Sequence, residues 1–256
     1  MINKYIPSCK GPVTQLKLSP IVVQKTADVL ASELRRQILS GALPPGAPLP
    51  VERDLVAQTG LSRSSVREAL RILASESLVT TRPGRFGGTV ANKPNHESLG
   101  RSVSLFVHGR GITLLSLLQT REAVEPSLAA LAAENRTDEE LQQLVEATAR
   151  VEKAFDDTPL FLRENVNWHM AIAIASHNDL LRAFLFSISN MVYKASAMEN
   201  FATDDVRKLV VQAHRRILEG VLAQDADAAR RRMARHLAAT TALCKAFPTA
   251  PLVLDL

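Results

Sequence analysis

The chain has 256 residues, enough for two domains with their own cores, and 46% of them are apolar, which excludes a disordered protein. No apolar run approaches the ~20 residues that span a bilayer, and Lys4, Lys10 and Lys17 flank no continuous apolar core, so neither a membrane protein nor a signal peptide is expected. The net charge of +5 is uneven: residues 1–90 hold 12 Lys and Arg against 6 Asp and Glu, whereas residues 91–256 hold 19 against 20, so a polyanion partner is expected for the first third only.

Residues 1–20 are expected to form a flexible tail, and residues 21–91 a first domain. From Thr26 the pattern turns helical, with Leu30, Leu34 and Ile38 on one face and Gly41 as a C-cap. The stretch ALPPGAPLP breaks the chain. A second helix is expected over Val51–Thr59, closed by Gly60. The third begins after Ser62, a good N-cap, with Leu61 placed to staple against Val66. The stretch TTRPGRFGGTVA alternates and turns, and reads as two short strands around a loop. Three helices and a β-hairpin make a winged helix-turn-helix.

The third helix carries Arg63, Arg67 and Arg71 four apart, interleaved with an apolar stripe of Val66, Ala69, Leu70 and Leu73. In a helix-turn-helix the second helix of the pair enters the major groove N-terminus first. The stripe would hold it on the domain. Arg63, Ser64 and Arg67 would meet phosphates and base edges, since the planar guanidinium grips phosphate or guanine bidentately. Arg53 on the preceding helix and Arg82 and Arg85 on the wing would touch backbone at the flanks. The bland alternative is a solvated face tied by pairs to Glu52 and Glu68. The turn, the wing and the local positive charge favour DNA.

The stretch LPVERDLVAQTGLSRSSVREALRILASESLV with RPGRFGGTVA, over about residues 24–91, resembles the DNA-binding domain of GntR-type transcription regulators. The resemblance to FadR-type members implies operator contacts by Arg53, Ser62, Arg63, Ser64, Ser65 and Arg67. This chain departs from the family pattern at Ser77, where Gly is usual, and at Phe86 on the wing tip, where a small residue is commoner.

Residues 92–111 are expected to be a linker with a short helix around Glu97–Val107. Residues 112–248 read as an all-α antiparallel bundle, with helices starting near Ile112, at a Thr137–Glu140 capping box, after Thr158-Pro159, near Asp179, at Thr203 and at Asp225. Residues 249–256 are expected to be a tail. Cys9 and Cys244 stand in no metal or redox spacing, which fits a reduced cytoplasm.

His169, His214 and His236 lie on three different expected helices, each beside an apolar stripe, and Asn165 stands one turn before His169. Each alone is more often a packed histidine than a ligand. Converging, they would make an imidazole-rich site for a divalent transition metal. His96, His108 and His177 are assigned structural or surface places.

The helical half resembles the FCD-type effector domain of FadR-subfamily regulators through LLQTREAVEPSLAALAAENRT, NVNWHMAIAIASHND and AHRRILEGVLAQDADAARRRMARHL. That resemblance implies one divalent ion per chain (zinc, nickel or manganese) held by Asn165, His169, His214 and His236, with Asn165 in place of the commoner Asp. It also implies that Arg121 faces the effector cavity. The competing reading of Arg121 is a helix-surface pair with Glu125, worth ~0.3–0.5 kcal/mol.

These features together describe a mainly α protein: a homodimeric, ligand-responsive repressor, not an enzyme, bound to double-stranded palindromic operator DNA and released by a small carboxylic, hydroxy or sugar acid. The alternatives are a helical metalloenzyme with a DNA-targeting head, or a regulator sensing the metal itself. Against the enzyme, no carboxylate stands at ligand-like spacing from the histidines.

Overall fold

The computed structural model describes residues 24–82, 87–198 and 202–245. The expected tails, Cys9, Phe86 and the wing residue Arg85 lie outside the described residues. The chain divides into two compact units, one up to Asn92 and one from Lys93 onward.

The first unit runs α1 (Thr26–Leu39), α2 (Glu52–Thr59), α3 (Arg63–Ser75), β1 (Val79–Arg82) and β2 (Gly88–Ala91). Its core forms where the apolar stripes meet: Leu30, Leu34 and Ile38 of α1, Leu55 of α2, and Val66, Ala69, Leu70 and Leu73 of α3. Gly60 closes α2 at φ 69°, a left-handed turn that lets α3 set off in a new direction. Ser62 then caps α3 by accepting the backbone N–H of Ser65. Leu61 packs against the head core. Ser77, where glycine is usual in the resembled family, sits at φ 60° just past the end of α3. The strands pair antiparallel, Val79 opposite Ala91 and Arg82 opposite Gly88. The proline-rich segment read as a plain break does more. Pro48 bridges Val90, and the Leu49 N–H donates to the Thr89 carbonyl at 2.8 Å, so the segment flanks β2 like a short third strand.

The second unit is all helix among the described residues: α4 (His96–Gly109), α5 (Leu114–Asn135), α6 (Asp138–Lys153), α7 (Thr158–Ala175), α8 (Asp179–Met198), α9 (Asp204–Leu222) and α10 (Ala226–Lys245). The helix expected around Glu97–Val107 is α4, which runs His96–Gly109 and packs on α8 within this unit. Its N-cap is Asn95, whose side chain accepts the Ser98 N–H. The Thr137–Glu140 capping box opens α6 with both of its reciprocal bonds.

The long α5 packs against α7, α8, α9 and α10 and is the central member. Its buried stripe runs Leu114, Leu117, Leu118, Arg121, Glu125, Leu128 and Ala132, so an arginine and a glutamate occupy core positions. Helices α9 and α10 pass close at Gly220, where an added Cβ would stand 3.0 Å from the Ala229 backbone nitrogen. No described helix is long and apolar enough to cross a membrane.

Candidate functional site

The head presents one polar face. Arg63, Ser64 and Arg67 are exposed on the first two turns of α3, opposite its buried stripe. With Lys25, Thr26 and Arg71 they line a shallow surface groove. Lys25 and Thr26 carry no DNA-contact signal in the sequence, because they precede the first apolar stripe. Arg67 donates to Glu52 at 2.8 Å and Arg71 lies 3.5 Å from Glu68, so both pairs of the bland reading exist. They are exposed pairs of the kind worth ~0.2–1 kcal/mol, small against the ~1–3 kcal/mol of a bidentate guanine contact. Ser62 and Ser65 are already committed locally, Ser62 to the α3 cap and Ser65 to a 3.0 Å hydrogen bond from Thr26. Arg53 is exposed beside Asp54, and Arg82 is exposed at the end of β1.

In the second unit the three histidines do converge. His169 of α7, His214 of α9 and His236 of α10 are buried, and one nitrogen from each lies within 4.8 Å of the others. Their ring centroids are 5.0–5.4 Å apart. Packing holds the set: the His214 ring stacks on Trp168 at 3.6 Å, and Trp168 donates to Thr148 at 2.9 Å. Burial lowers all three pKa values, to about 3 for His236; Arg121 adds to it for each, and neighbouring imidazoles add to it for His214 and His236. For His169, burial outweighs the opposing pull of Glu125. The imidazoles are therefore neutral near pH 7, the form that binds metal.

Hydrogen bonding tests whether an ion fits. Asn165 Oδ1, His169 Nε2 and both nitrogens of His214 are buried with no hydrogen-bond partner. Each orphaned group costs ~1–3 kcal/mol unless something binds it. Four such atoms in one helix bundle, on the residues matched to the ligand set, fit a divalent ion with nitrogen and oxygen donors. Among the other histidines, His177 Nε2 donates to Glu140 Oε2 at 2.8 Å on the surface, and His96 lies against Phe186.

Arg121 is buried, not on the helix surface, and so is its partner. Its Nε donates to Glu125 Oε1 at 2.5 Å, while Glu125 Oε2 meets His169 Nδ1 at 2.5 Å. Burial opposes charge on Glu125, but Arg121 and His169 together outweigh it and hold its carboxyl at about 2. A carboxylate therefore lies beside the histidines although none stands at ligand-like spacing from them along the chain. Chain spacing hides it, because Glu125 and His169 are 44 residues apart. The periodicity of α5 was the available signal, since it places residues 121 and 125 on the buried stripe. Arg121 and His169 also line a cavity of about 10 Å³, completed by Val166 of α7 and by Leu185, Ile188, Ser189 and Val192 of α8.

Comparison with known proteins agrees with both halves. The family described as bacterial regulatory proteins, gntR family, matches residues 26–89, and the FCD domain matches residues 116–239. A protein of Escherichia coli (strain K12), provisionally named as an L-lactate dehydrogenase operon regulatory protein, is 30% identical over 238 residues, covering 89% of each chain. The chain belongs to the GntR family. Among other relatives of this GntR regulator, the transcriptional repressor NanR of Citrobacter rodentium is 29% identical over 231 residues, covering 89% of this chain and 88% of that one. The solved structure of Streptococcus agalactiae GntR matches with a TM-score of 0.66 at 25% identity, covering 84% of this chain and 99% of that one. The matched families and relatives are transcription regulators, not enzymes.

Proposed function

We propose that this GntR-family regulator is a cytoplasmic, homodimeric repressor whose FCD domain binds one divalent transition ion and a small 2-hydroxy or sugar acid. Two heads would read the half-sites of a palindrome through Arg63, Ser64 and Arg67, with Arg53, Ser62, Ser65, Arg82 and Arg85 at the flanks. Asn165, His169, His214 and His236 would hold the ion. The observation that carries the reading is the set of buried, unbonded ligand atoms on Asn165, His169 and His214, with the Arg121 cation lining the same small cavity as His169.

An ion with open positions beside a fixed guanidinium suits a chelating anion: carboxylate and hydroxyl reach the ion while a carboxylate oxygen meets Arg121. The operon named for the Escherichia coli relative concerns L-lactate, a 2-hydroxy acid of this class. The cavity of about 10 Å³ holds roughly one water, so an acid enters by moving the α8 side chains that line it. Helix α8 packs on α4, the helix that follows the head in sequence. This is the route by which acid binding would reach the head.

The test compares operator affinity with and without a panel of hydroxy acids for the wild type and Arg121→Lys. Lysine keeps the charge beside buried Glu125 but loses the planar fork. A charge-assisted bond worth ~1.5–3 kcal/mol predicts a tenfold to hundredfold weaker acid response with operator affinity unchanged. A wild-type response from Arg121→Lys would remove Arg121 from the effector site.

A further inference from the structure

The proposed ligand set leaves open which nitrogen of each histidine faces the ion. For His169 the surroundings decide it. Its Nδ1 is taken by Glu125 at 2.5 Å, and its Nε2 is buried with no partner. A neutral imidazole carries one proton, and a carboxylate with no proton of its own accepts that proton's hydrogen bond. Glu125 has no such proton, because its other oxygen accepts the Arg121 Nε–H at 2.5 Å, and a guanidinium in direct contact keeps its partner a carboxylate. His214 differs: it is held by stacking on Trp168, and neither of its nitrogens is bonded.

We propose that Glu125 is the positioning residue of the metal centre: it fixes His169 as the Nδ1–H tautomer with Nε2 free to bind the ion, and the same carboxylate anchors Arg121. The inference rests on the metal reading above. Ion and acid are thereby keyed to one side chain on α5. A carboxylate behind a ligating imidazole raises its basicity and fixes its ring, and loss of such a partner typically weakens metal affinity 10–100-fold. Glutamine at 125 keeps the shape but not the charge. Its single carbonyl oxygen can serve Arg121 or His169 but not both. Arg121→Lys leaves the Glu125–His169 bond in place.

The experiment has two arms. Long-range nitrogen–proton NMR on metal-free wild type reads the His169 tautomer directly. Nδ1–H with a bare Nε2 is expected, and Nε2–H with a bare Nδ1 overturns the proposal without any variant. Zinc affinity is then measured by chelator competition on wild type, Glu125→Gln and Arg121→Lys, with the metal-free melting temperature of each as the folding control. Glu125→Gln is expected to bind zinc 10–100-fold more weakly and to show a mixed His169 tautomer, while Arg121→Lys binds zinc within about threefold of wild type. Zinc bound equally by wild type and Glu125→Gln overturns this inference alone. A wild type that binds no zinc overturns the metal reading beneath it.

Discussion

Ser77 carries a left-handed backbone at φ 60°, a conformation that crowds the Cβ of any residue but glycine. Ser77→Gly removes that strain, and the predicted result is a gain of about 0.5–1 kcal/mol, read as a higher urea midpoint with unchanged slope. This feature was legible in the sequence because it is local: one turn, one residue, one backbone conformation. Glu125 was legible only as the i+4 neighbour of Arg121, because its second partner is brought up by a different helix. On the head, Arg63→Ala and Arg67→Ala should each weaken operator binding by ~1–3 kcal/mol with helical content unchanged. Fluorescence anisotropy on the operator measures it. Arg67 should cost slightly less, since it gives up the exposed Glu52 pair on binding.

Among the elements, capped and periodic helices were the most legible. Ser62, Thr137 and Thr203 each accept a hydrogen bond from the first turn of the helix they were expected to start. The 46–49 segment was the least legible, because its β pairing depends on β2, about 40 residues downstream. Helix α4 falls within two residues of its expected ends, whereas its packing on α8 was not legible, because α8 is brought up from about 80 residues downstream. The α9–α10 crossing at Gly220 makes a prediction of its own. Ala at 220 gains ~0.8–1 kcal/mol of helix propensity. It also puts a Cβ 3.0–3.2 Å from the Ala229 backbone, which cannot rotate away. Overpacking of that kind costs ~1–3 kcal/mol and should win. Gly220→Ala should lower the melting temperature and, by parting the helices that carry His214 and His236, weaken zinc binding as well.

For the whole molecule, the two-part plan followed from composition and periodicity: one basic third with strand signals, then uninterrupted helix. Each unit has its own hydrophobic cluster, so ligands of one should stabilise that one. Zinc at a hundredfold its dissociation constant adds ~2.7 kcal/mol to the unit that binds it. Calorimetry should show the transition of the second unit rising by about 5–10 °C while the head transition stays put. His214→Ala should abolish the shift. A shift of both transitions, or of neither, would contradict a zinc site confined to the bundle.

The stack of Trp168 on His214 has an optical consequence. Trp168 is the chain's single tryptophan, wholly buried, with its ring 3.6 Å from the imidazole and nearly parallel to it. All indole emission therefore originates one ring away from a proposed metal ligand. Closed-shell zinc has no low-lying electronic states to drain the excited indole, whereas open-shell nickel or manganese does. Nickel titration should quench the emission in step with occupancy, zinc should largely preserve it, and excess zinc should restore what nickel removed. The regulator thus carries its own fluorescent gauge of which ion sits in the bundle, readable without label or DNA.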